Sequence, residues 1–188
     1  EKLKRDQADL AFVIVPNYSE QLDTKPAYKE KMLFVCSKHA PYPAKISPIS
    51  LQAKNYVYCI RPLEFELWFE NWFGSHQQAS IKCDLIPIIE SFIAGTENWT
   101  ILPASIFDTM KNTDLTTKPM LAPPPDRTIY LVRKPATSQI DKLIQDFLTI
   151  LRQKIKYLPG VKLEDDFLEQ QVKFDRQRKA KKPKLGEC

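Results

Sequence analysis

The sequence is poor in the residues that build phosphate-binding loops and metal sites. Only four glycines occur in 188 residues, and neither a GxGxxG nor a P-loop pattern is present. The two histidines, His39 and His76, have no cysteine, aspartate or glutamate at ligand spacing, and no serine stands in a GxSxG motif. These absences argue against an enzyme and predict no catalytic residue, no metal and no cofactor.

The cysteines and the apolar runs exclude other classes of protein. Cys36, Cys59, Cys83 and Cys188 show no CxxC spacing, which predicts packed thiols in a reducing compartment rather than a disulfide framework or a zinc site. Because Cys59 and Cys83 end apolar strands, inert thiols are favoured there over nucleophiles. The longest apolar run, Leu10–Pro16, is too short to cross a membrane. No secretion signal opens the chain, so the expected location is cytoplasmic.

The net charge of +5 comes from one short segment near the end of the chain. Residues 173–184 carry seven basic side chains and one acidic side chain, which leaves −1 for the rest of the chain. Any attraction to nucleic-acid phosphates is therefore predicted from this tail. The segment has too few apolar residues to offset its ordering entropy, so its end is predicted to be mobile. Truncation after Pro159 is expected to leave the melting temperature and the affinity for any ligand nearly unchanged. The alternative is a short helix that docks against the domain or a neighbour through Leu163, Phe167, Leu168 and Val172.

The apolar pattern predicts alternating strands and helices in the middle of the chain. Strands are predicted at 56–60, 81–83 and 99–102, and helices at 64–73 and 85–94. The first helix carries an aromatic face at helical spacing that is most simply core: Phe65, Trp68, Phe69, Trp72 and Phe73. Asp84 is predicted to cap the second helix. Such strand–helix units build parallel sheets through right-handed crossovers, which predicts an α/β fold.

Further elements are predicted on both sides of this region. Strands are expected at 8–15, 31–37 and 128–133, the first of them buried on both faces as in parallel sheets. The proline-containing segment 39–51 is expected to be a loop, and 121–126 an extended connector between lobes. Ser138 begins a capping-box pattern, and a long amphipathic helix is predicted after it, ending at Pro159-Gly160.

Four segments, in order, carry a resemblance to a known family. They are ADLAFV at 8–13, EKMLFVCS at 30–37 followed by His39, IAGTENWTILPAS at 93–105, and residues 128–134 followed by the final helix. Together they resemble the effector-binding domain of LysR-type transcriptional regulators over about Ala8 to Leu158. The resemblance implies a periplasmic-binding-protein-like fold, in which crossing strands join two Rossmann-like lobes.

The resemblance also implies a plan for the domains. Residues 1–26 would end lobe one, 27–122 would form lobe two, 123–159 would return to lobe one, and 160–188 would be a peripheral tail. The family's N-terminal winged helix-turn-helix and the first part of lobe one have no counterpart before Glu1. Lobe one is therefore expected to be incomplete in this chain, and the chain is not expected to read DNA bases by itself. The family's two turn glycines align with Thr96 and Asn98, so that turn is expected to differ.

The expected ligand site follows from where the strands of such lobes end. Helix amino termini and backbone amides meet at the carboxyl ends of the strands, and this arrangement suits a small anion between the lobes. The candidate residues that follow strand ends or lie on the returning strand are Pro16, Asn17, Ile60, Arg61, Pro62, Thr96, Ile129 and Tyr130. Arg61 is the strongest candidate for binding an anionic ligand, because a guanidinium can hold a carboxylate by two hydrogen bonds. The alternative for Arg61 is a surface pair with Glu64 or Glu66.

The leading hypothesis is a small-molecule effector-sensing domain of a bacterial LysR-type regulator. A small, anionic effector would shift the lobes and so change DNA binding by the separate winged helix-turn-helix. The partners expected are this effector, DNA through the separate module, and a second copy in an antiparallel dimer or tetramer. A stand-alone periplasmic-type solute-binding protein is the main alternative, and an enzyme of the same fold is a third. The residues encoded before Glu1 would discriminate between the first two.

Overall fold

The structure is a computed structural model that describes residues 2–16, 19, 21–59, 62–74, 79–83, 85–134, 140–164 and 167. The chain divides into two compact units. Unit 1 comprises residues 1–29, 128–157 and 162–188, and unit 2 comprises residues 30–127 and 158–161. The chain thus leaves unit 1 after Lys29 and returns to it at Thr128. The lobe boundaries expected from the resemblance stay predictions.

Three strands come first in the described chain, and strands and helices alternate through its middle. The strands are β1 (Leu10–Val13), β2 (Asp23–Glu30), β3 (Met32–Ser37), β4 (Val57–Tyr58), β5 (Ile81–Lys82), β6 (Trp99–Pro103), β7 (Leu115–Lys118), β8 (Arg127–Arg133) and β9 (Val161–Leu163). The α-helices are α1 (Leu63–Phe73), α2 (Ile86–Ile93), α3 (Ala104–Phe107) and α4 (Ile140–Ile155). Short 3-10 turns lie at Pro48–Ser50 and Ala53–Asn55, inside the proline-containing stretch and just after it. No helix in these described ranges is long and apolar enough to cross a membrane.

Unit 1 is built on a four-stranded sheet in the order β1-β8-β2-β9. The predicted amphipathic helix is confirmed as α4, and its inner face packs Ile144 and Leu148 against Ala27 and Leu131. Its other face exposes Leu143 and Phe147, among others. Ser138, the predicted start of the capping box, lies outside the described residues.

Two predictions for this sheet need correction. The predicted strand 8–15 is the shorter β1; it lies at an end of the strand order, is only partly buried and runs antiparallel to β8. The prediction of a doubly buried parallel strand is wrong because only one described strand borders β1. The sequence interpretation also missed β2, whose residues DTKPAYKE are mostly polar and include Pro26. Only Ala27 and Glu30 are fully buried in β2, so its apolar signal is weak.

Unit 2 contains the predicted strand–helix–strand–helix–strand series. The series is β4-α1-β5-α2-β6, with β4 parallel to β5 and Tyr56 paired in parallel with Trp99 at the start of β6. This prediction is confirmed. The strands of unit 2 form two sheets: β4 and β5 form a parallel pair, and β3 lies between β6 and β7 and runs antiparallel to both. The bridge between Tyr56 and Trp99 connects the two sheets. Asp84, the predicted cap of α2, lies outside the described residues.

An aromatic cluster fills the centre of unit 2. The ring centroids of Tyr56 and Trp99 lie 4.7 Å apart, and those of Phe34 and Trp99 lie 5.7 Å apart. Phe65 and Phe69 of α1 are buried in this cluster, and Trp68 and Phe73 pack against it. The prediction that the aromatic face of α1 is core is confirmed for these four residues, whereas Trp72 is 38% exposed.

The chain beyond α4 is not peripheral throughout, and this expectation is wrong for the residues next to the helix. β9 joins the unit 1 sheet beside β2, and the amide N of Glu164 donates to the carbonyl of Ala27 at 3.1 Å. Phe167 is 5% exposed in the core of unit 1, and the Arg152 guanidinium lies 4.5 Å from its ring centroid. The short apolar spacing after Pro159-Gly160 gave too weak a pattern to predict this. The basic segment 173–184 lies outside the described residues.

Candidate functional site

The carboxyl ends of β4 and β5 lie side by side in unit 2. Val57 pairs with Ile81 and Tyr58 with Lys82, and the amide N of Cys83 donates to the Tyr58 carbonyl at 2.8 Å. Both strands therefore lead into their helices at the same edge of the sheet. We call this edge the β4–β5 edge.

Among the described residues, no side chain caps either of the two helices that begin at the β4–β5 edge. The N-cap residue of α1 is Pro62 and that of α2 is Leu85, and neither makes a side-chain capping hydrogen bond. The first amide groups of a helix have no partner within the helix, and the helix dipole adds positive potential there. Part of each first turn is already committed: the amide N–H groups of Phe65 and Ile88 donate to the carbonyls of Pro62 and Leu85, and Pro87 has no N–H. The first one or two amides of each helix are what the β4–β5 edge can offer a small anion.

The acidic side chains of the first turn of α1 oppose this potential. Glu64 is exposed and Glu66 is partly buried, and Oε1 of Glu66 is buried without a hydrogen-bond partner among the described residues. A nearby cation would satisfy Glu66 or balance a bound anion. Arg61 directly precedes Pro62 and is the residue expected to supply that charge. Because Arg61 lies outside the described residues, its ligand-binding role and its pairing with a glutamate both stay predictions.

Thr96 has a local role in the turn that ends α2. Its hydroxyl lies 3.0 Å from the carbonyl oxygens of both Phe92 and Ile93, to which it can donate, and it accepts the amide N–H of Asn98 at 3.0 Å. The side-chain amide of Asn98 donates to the Phe92 carbonyl at 2.8 Å. These bonds satisfy carbonyl groups at the end of the helix. The left-handed conformation in this turn falls on Gly95 (φ +67°), so the turn forms with threonine and asparagine at the two positions where the family has glycine.

The structure does not bring Thr96 together with Pro62. Pro62 follows β4 at the carboxyl edge of the parallel strands. Thr96 precedes β6, whose first residue, Trp99, pairs in parallel with Tyr56 just before β4. Thr96 therefore lies toward the opposite edge of the sheet. Its contact with a ligand stays a prediction.

Asp114 joins the end of α2 to the end of β3, and sequence reasoning missed it. Its carboxylate accepts the Gly95 amide N–H at 2.8 Å and the hydroxyl of the buried Ser37 at 2.9 Å. These bonds hold the pKa of Asp114 below its ordinary value, the Gly95 bond contributing most. The imidazole of His39 is 85% exposed and lies 3.5 Å from the same carboxylate. The sequence signal that could have pointed to Asp114 is the turn-forming pair Asn112 and Asp114. In this turn Asn112 Oδ1 accepts the Asp114 amide N–H.

Three candidate residues of unit 1 lie in β8 or follow its neighbour β1. Val13, the last residue of β1, pairs with Tyr130 of β8. Because the two strands are antiparallel, the chain that continues from Val13 toward Pro16 runs in the direction of Ile129. Ile129 is buried, whereas Pro16 and Tyr130 are partly exposed. The remaining candidates, Asn17 and Ile60, lie outside the described residues. A ligand contact for any member of this group stays a prediction.

A buried ion pair marks the positions where the chain passes between the units. Glu30 is 2% exposed, and its carboxylate accepts hydrogen bonds from Nε of Arg127 at 2.9 Å and from one terminal guanidinium nitrogen. The hydroxyl of Ser105 donates to the other carboxylate oxygen. Glu30 is the first residue of unit 2 and Arg127 ends its main segment. Since the partners are 97 residues apart, no local pattern in the sequence predicts them.

The family of this chain follows from comparison with known sequences. The model of the LysR substrate binding domain matches residues 1–156, and the chain belongs to this family of domains from LysR-type transcriptional regulators. The predicted family is confirmed, and the match favours a regulator domain over a stand-alone solute-binding protein. A search of curated proteins finds no match to this chain.

Solved structures of regulatory domains share the fold. The reduced form of OxyR from N. meningitidis has a TM-score of 0.65 and 18% identity, over 87% of this chain and 79% of that chain. The reduced OxyR regulatory domain from Pseudomonas aeruginosa has a TM-score of 0.63 and 18% identity, over 76% and 72%. The regulatory domain of Synechocystis PCC6803 CcmR, in complex with 2-PG, has a TM-score of 0.62 and 17% identity, over 80% and 76%. The expected periplasmic-binding-protein-like α/β fold is confirmed. This chain spans about half of a full-length BenM mutant, 54%.

Proposed function

We propose that this chain senses a small, anionic effector for a DNA-binding regulator. The observation that carries the proposal is the LysR substrate binding domain match over residues 1–156. The β4–β5 edge supports an anionic ligand, because two helices begin there and neither N-cap residue, Pro62 or Leu85, makes a side-chain capping hydrogen bond. The CcmR neighbour, solved in complex with 2-PG, is a precedent for a ligand on this fold.

In this proposal Arg61 anchors the effector. Its guanidinium follows β4 and precedes the start of α1, so it would add the cation that the acidic first turn of α1 lacks. Asn17, Ile60, Pro62, Ile129 and Tyr130, with Pro16, are proposed to contribute further contacts at the cleft that the resemblance predicts. Thr96 lies toward the opposite edge from Pro62 and is not included among the contacts beside Arg61. The proposed role is binding without catalysis, metal or cofactor.

A thermal-shift screen of small organic acids and amino acids against the complete chain would find the effector, since a ligand stabilises the folded state that binds it. Calorimetry with that effector then tests Arg61→Ala. We expect a loss of about 1.5–3 kcal/mol, which is on the order of ten- to a hundredfold in affinity. Lys45→Ala is the control, because it removes the same charge from an exposed position of unit 2. An unchanged affinity for Arg61→Ala would assign Arg61 to the pair with Glu64 or Glu66.

The partners of the whole regulator are part of the proposal. DNA would be read by a separate winged helix-turn-helix, in the cytoplasm, and the domains would pair two-fold as an antiparallel dimer or within a tetramer. The exposed apolar residues Leu85, Ile88 and Phe92 on one side of α2 are consistent with such a contact. Sedimentation should show concentration-dependent association of the chain. A monomer at high concentration would contradict pairing through this domain.

A further inference from the structure

We propose that Cys59 and Cys83 form a reversible disulfide at the β4–β5 edge. The two cysteines are distant in sequence, but each is the first residue after one of the two paired strands. Tyr58 pairs with Lys82, and the amide N of Cys83 donates to the Tyr58 carbonyl at 2.8 Å. Continuing this register by one residue places Cys59 opposite Cys83.

The side chains of the two cysteines lie on the same face of the sheet. Residues two apart in a strand share a face, so Cys59 follows Val57 and Cys83 follows Ile81. All four residues belong to one apolar cluster of unit 2. Neighbouring strands lie about 4.8 Å apart, which is within the Cα separation of about 4.4–6.8 Å that a disulfide requires. The register therefore places the Cα atoms of Cys59 and Cys83 at a separation that a disulfide can span after rotation of the side chains.

The exposure of the two thiols assigns different roles to them. Cys83 is partly exposed, and its Sγ donates to the Leu85 carbonyl at 3.4 Å, whereas Cys59 is 3% exposed. Cys83 is therefore the thiol that a small oxidant reaches first. Cys59 is the second thiol, which resolves the intermediate from within the cluster.

The oxidant in this proposal is a low-molecular-weight disulfide. The Cys83 thiolate attacks one sulfur of the oxidant, whose S–S bond breaks and releases one small thiol, leaving a mixed disulfide on Cys83. The Cys59 thiolate then attacks the Cys83 sulfur and displaces the second small thiol. Two protein thiols lose two electrons and two protons, and the oxidant is reduced to two thiols. A reducing thiol reverses both steps, as expected of a disulfide in a reducing compartment.

Cys36 provides a control within the same unit. It lies in the middle of β3, is completely buried and packs in the aromatic cluster rather than with Cys59 and Cys83. Burial raises the pKa of its thiol, which disfavours the reactive thiolate. We expect Cys36 to stay reduced under conditions that oxidise the proposed pair.

The test is equilibration of the complete, reduced chain in glutathione redox buffers, followed by alkylation and peptide mass spectrometry. We expect loss of two of the four thiols, a mass decrease of about 2 Da, and a Cys59–Cys83 linked peptide that dithiothreitol reverses. Cys83→Ser and Cys59→Ala should each abolish the linked peptide, whereas Cys36→Ala should retain it. Circular dichroism of each variant verifies that it is folded.

Three results would overturn the proposal. The first is glutathione on Cys83 without a linked peptide in the folded chain. The second is a linkage that pairs Cys83 with Cys188 and persists in Cys59→Ala. The third is full alkylation of both cysteines after exposure to the most oxidising buffer. None of these results depends on the effector, so the disulfide and the sensing function are tested separately.

Discussion

The guanidinium of Arg127 donates two hydrogen bonds to the carboxylate of Glu30, which is almost completely shielded from solvent. The pair joins the end of β2 to the start of β8, at the two positions where the chain passes between the units. A buried carboxylate that loses its cationic partner retains its desolvation cost without compensation. Substitution of Glu30 or Arg127 is therefore expected to lower the stability of the fold where the chain passes between the units.

Arg127→Ala should destabilise the chain strongly, because it leaves the Glu30 carboxylate buried without its cation. We expect a loss of about 3–5 kcal/mol in the free energy of unfolding, measured by urea denaturation. Lys25→Ala removes one of the two cations beside Asp23, at 3.3 Å in a more exposed ion pair, and leaves Arg133 at 3.8 Å. It should cost less than about 1 kcal/mol. Equal losses in the two variants would contradict the special cost of the buried pair.

The carboxylate of Asp114 should make stability depend on acidic pH. Its pKa in the folded chain is held below the ordinary value of 3.8 by the Gly95 amide and then by the Ser37 hydroxyl. A carboxyl group with a lowered pKa stabilises the fold above its unfolded pKa, and this stabilisation is lost as the pH falls through the folded pKa. Asp114→Asn should therefore lower the Tm most at neutral pH, and the difference should shrink below about pH 4. A difference in Tm that stays constant from neutral to acidic pH would contradict this linkage. The control is Asp108→Asn, which replaces an exposed aspartate.

Gly160→Ala should disturb the contact between the segment after α4 and α3. Gly160 has a φ of +68°, and an added Cβ would lie 2.7 Å from the Cβ of Ala104. Gly95→Ala is a matched control, since Gly95 has a φ of +67° and an added Cβ would meet nothing within 4 Å. The control should cost about 1–2 kcal/mol for the backbone alone. Gly160→Ala should cost about 1–3 kcal/mol more because of the overlap; similar losses in thermal unfolding would refute the close approach.

Phe167 should contribute to the stability of unit 1 although it lies beyond the helix-ending Pro159-Gly160. Phe167→Ala removes a buried ring from the core beside Arg152 and should cost about 3–5 kcal/mol. Phe147→Ala, on the exposed face of α4, should change stability by less than about 0.5 kcal/mol. Truncation after Pro159 should lower the Tm by many degrees, whereas removal of residues 169–188 should not. An unchanged Tm after truncation at Pro159 would contradict the core role of β9 and Phe167.

The sequence predicts those elements whose apolar residues recur with a clear period. The helices α1 and α4 carry long amphipathic patterns, and the strand–helix series of unit 2 has short connections that leave few alternatives. The pattern fails for β2, because a strand with polar residues on its exposed side and few apolar residues has little periodic signal. It also fails for β9, a three-residue strand whose pairing depends on β2.

The candidate site is predictable only in part, since most of its contacts join distant residues. The β4–β5 edge follows from the order of strands and helices, so Pro62 could be assigned to it from the sequence. The bonds from Asp114 to Gly95 and Ser37 depend on how β7 lies against β3, and no local pattern specifies them. The opposite placement of Thr96 likewise depends on the parallel pairing of Tyr56 with Trp99.

The division of the chain also affects the order in which it can fold during synthesis. Unit 2 takes nearly all its residues from the continuous stretch 30–127, whereas unit 1 combines three separate segments. β1 and β2 both neighbour β8, which the ribosome delivers only after the main segment of unit 2 has been made. Unit 2 is therefore favoured to fold first, while β1 and β2 expose unpaired edges. Aggregation of nascent chains is expected to begin at β1 and β2, because their neighbours among the described strands, β8 and β9, are synthesised after the main segment of unit 2.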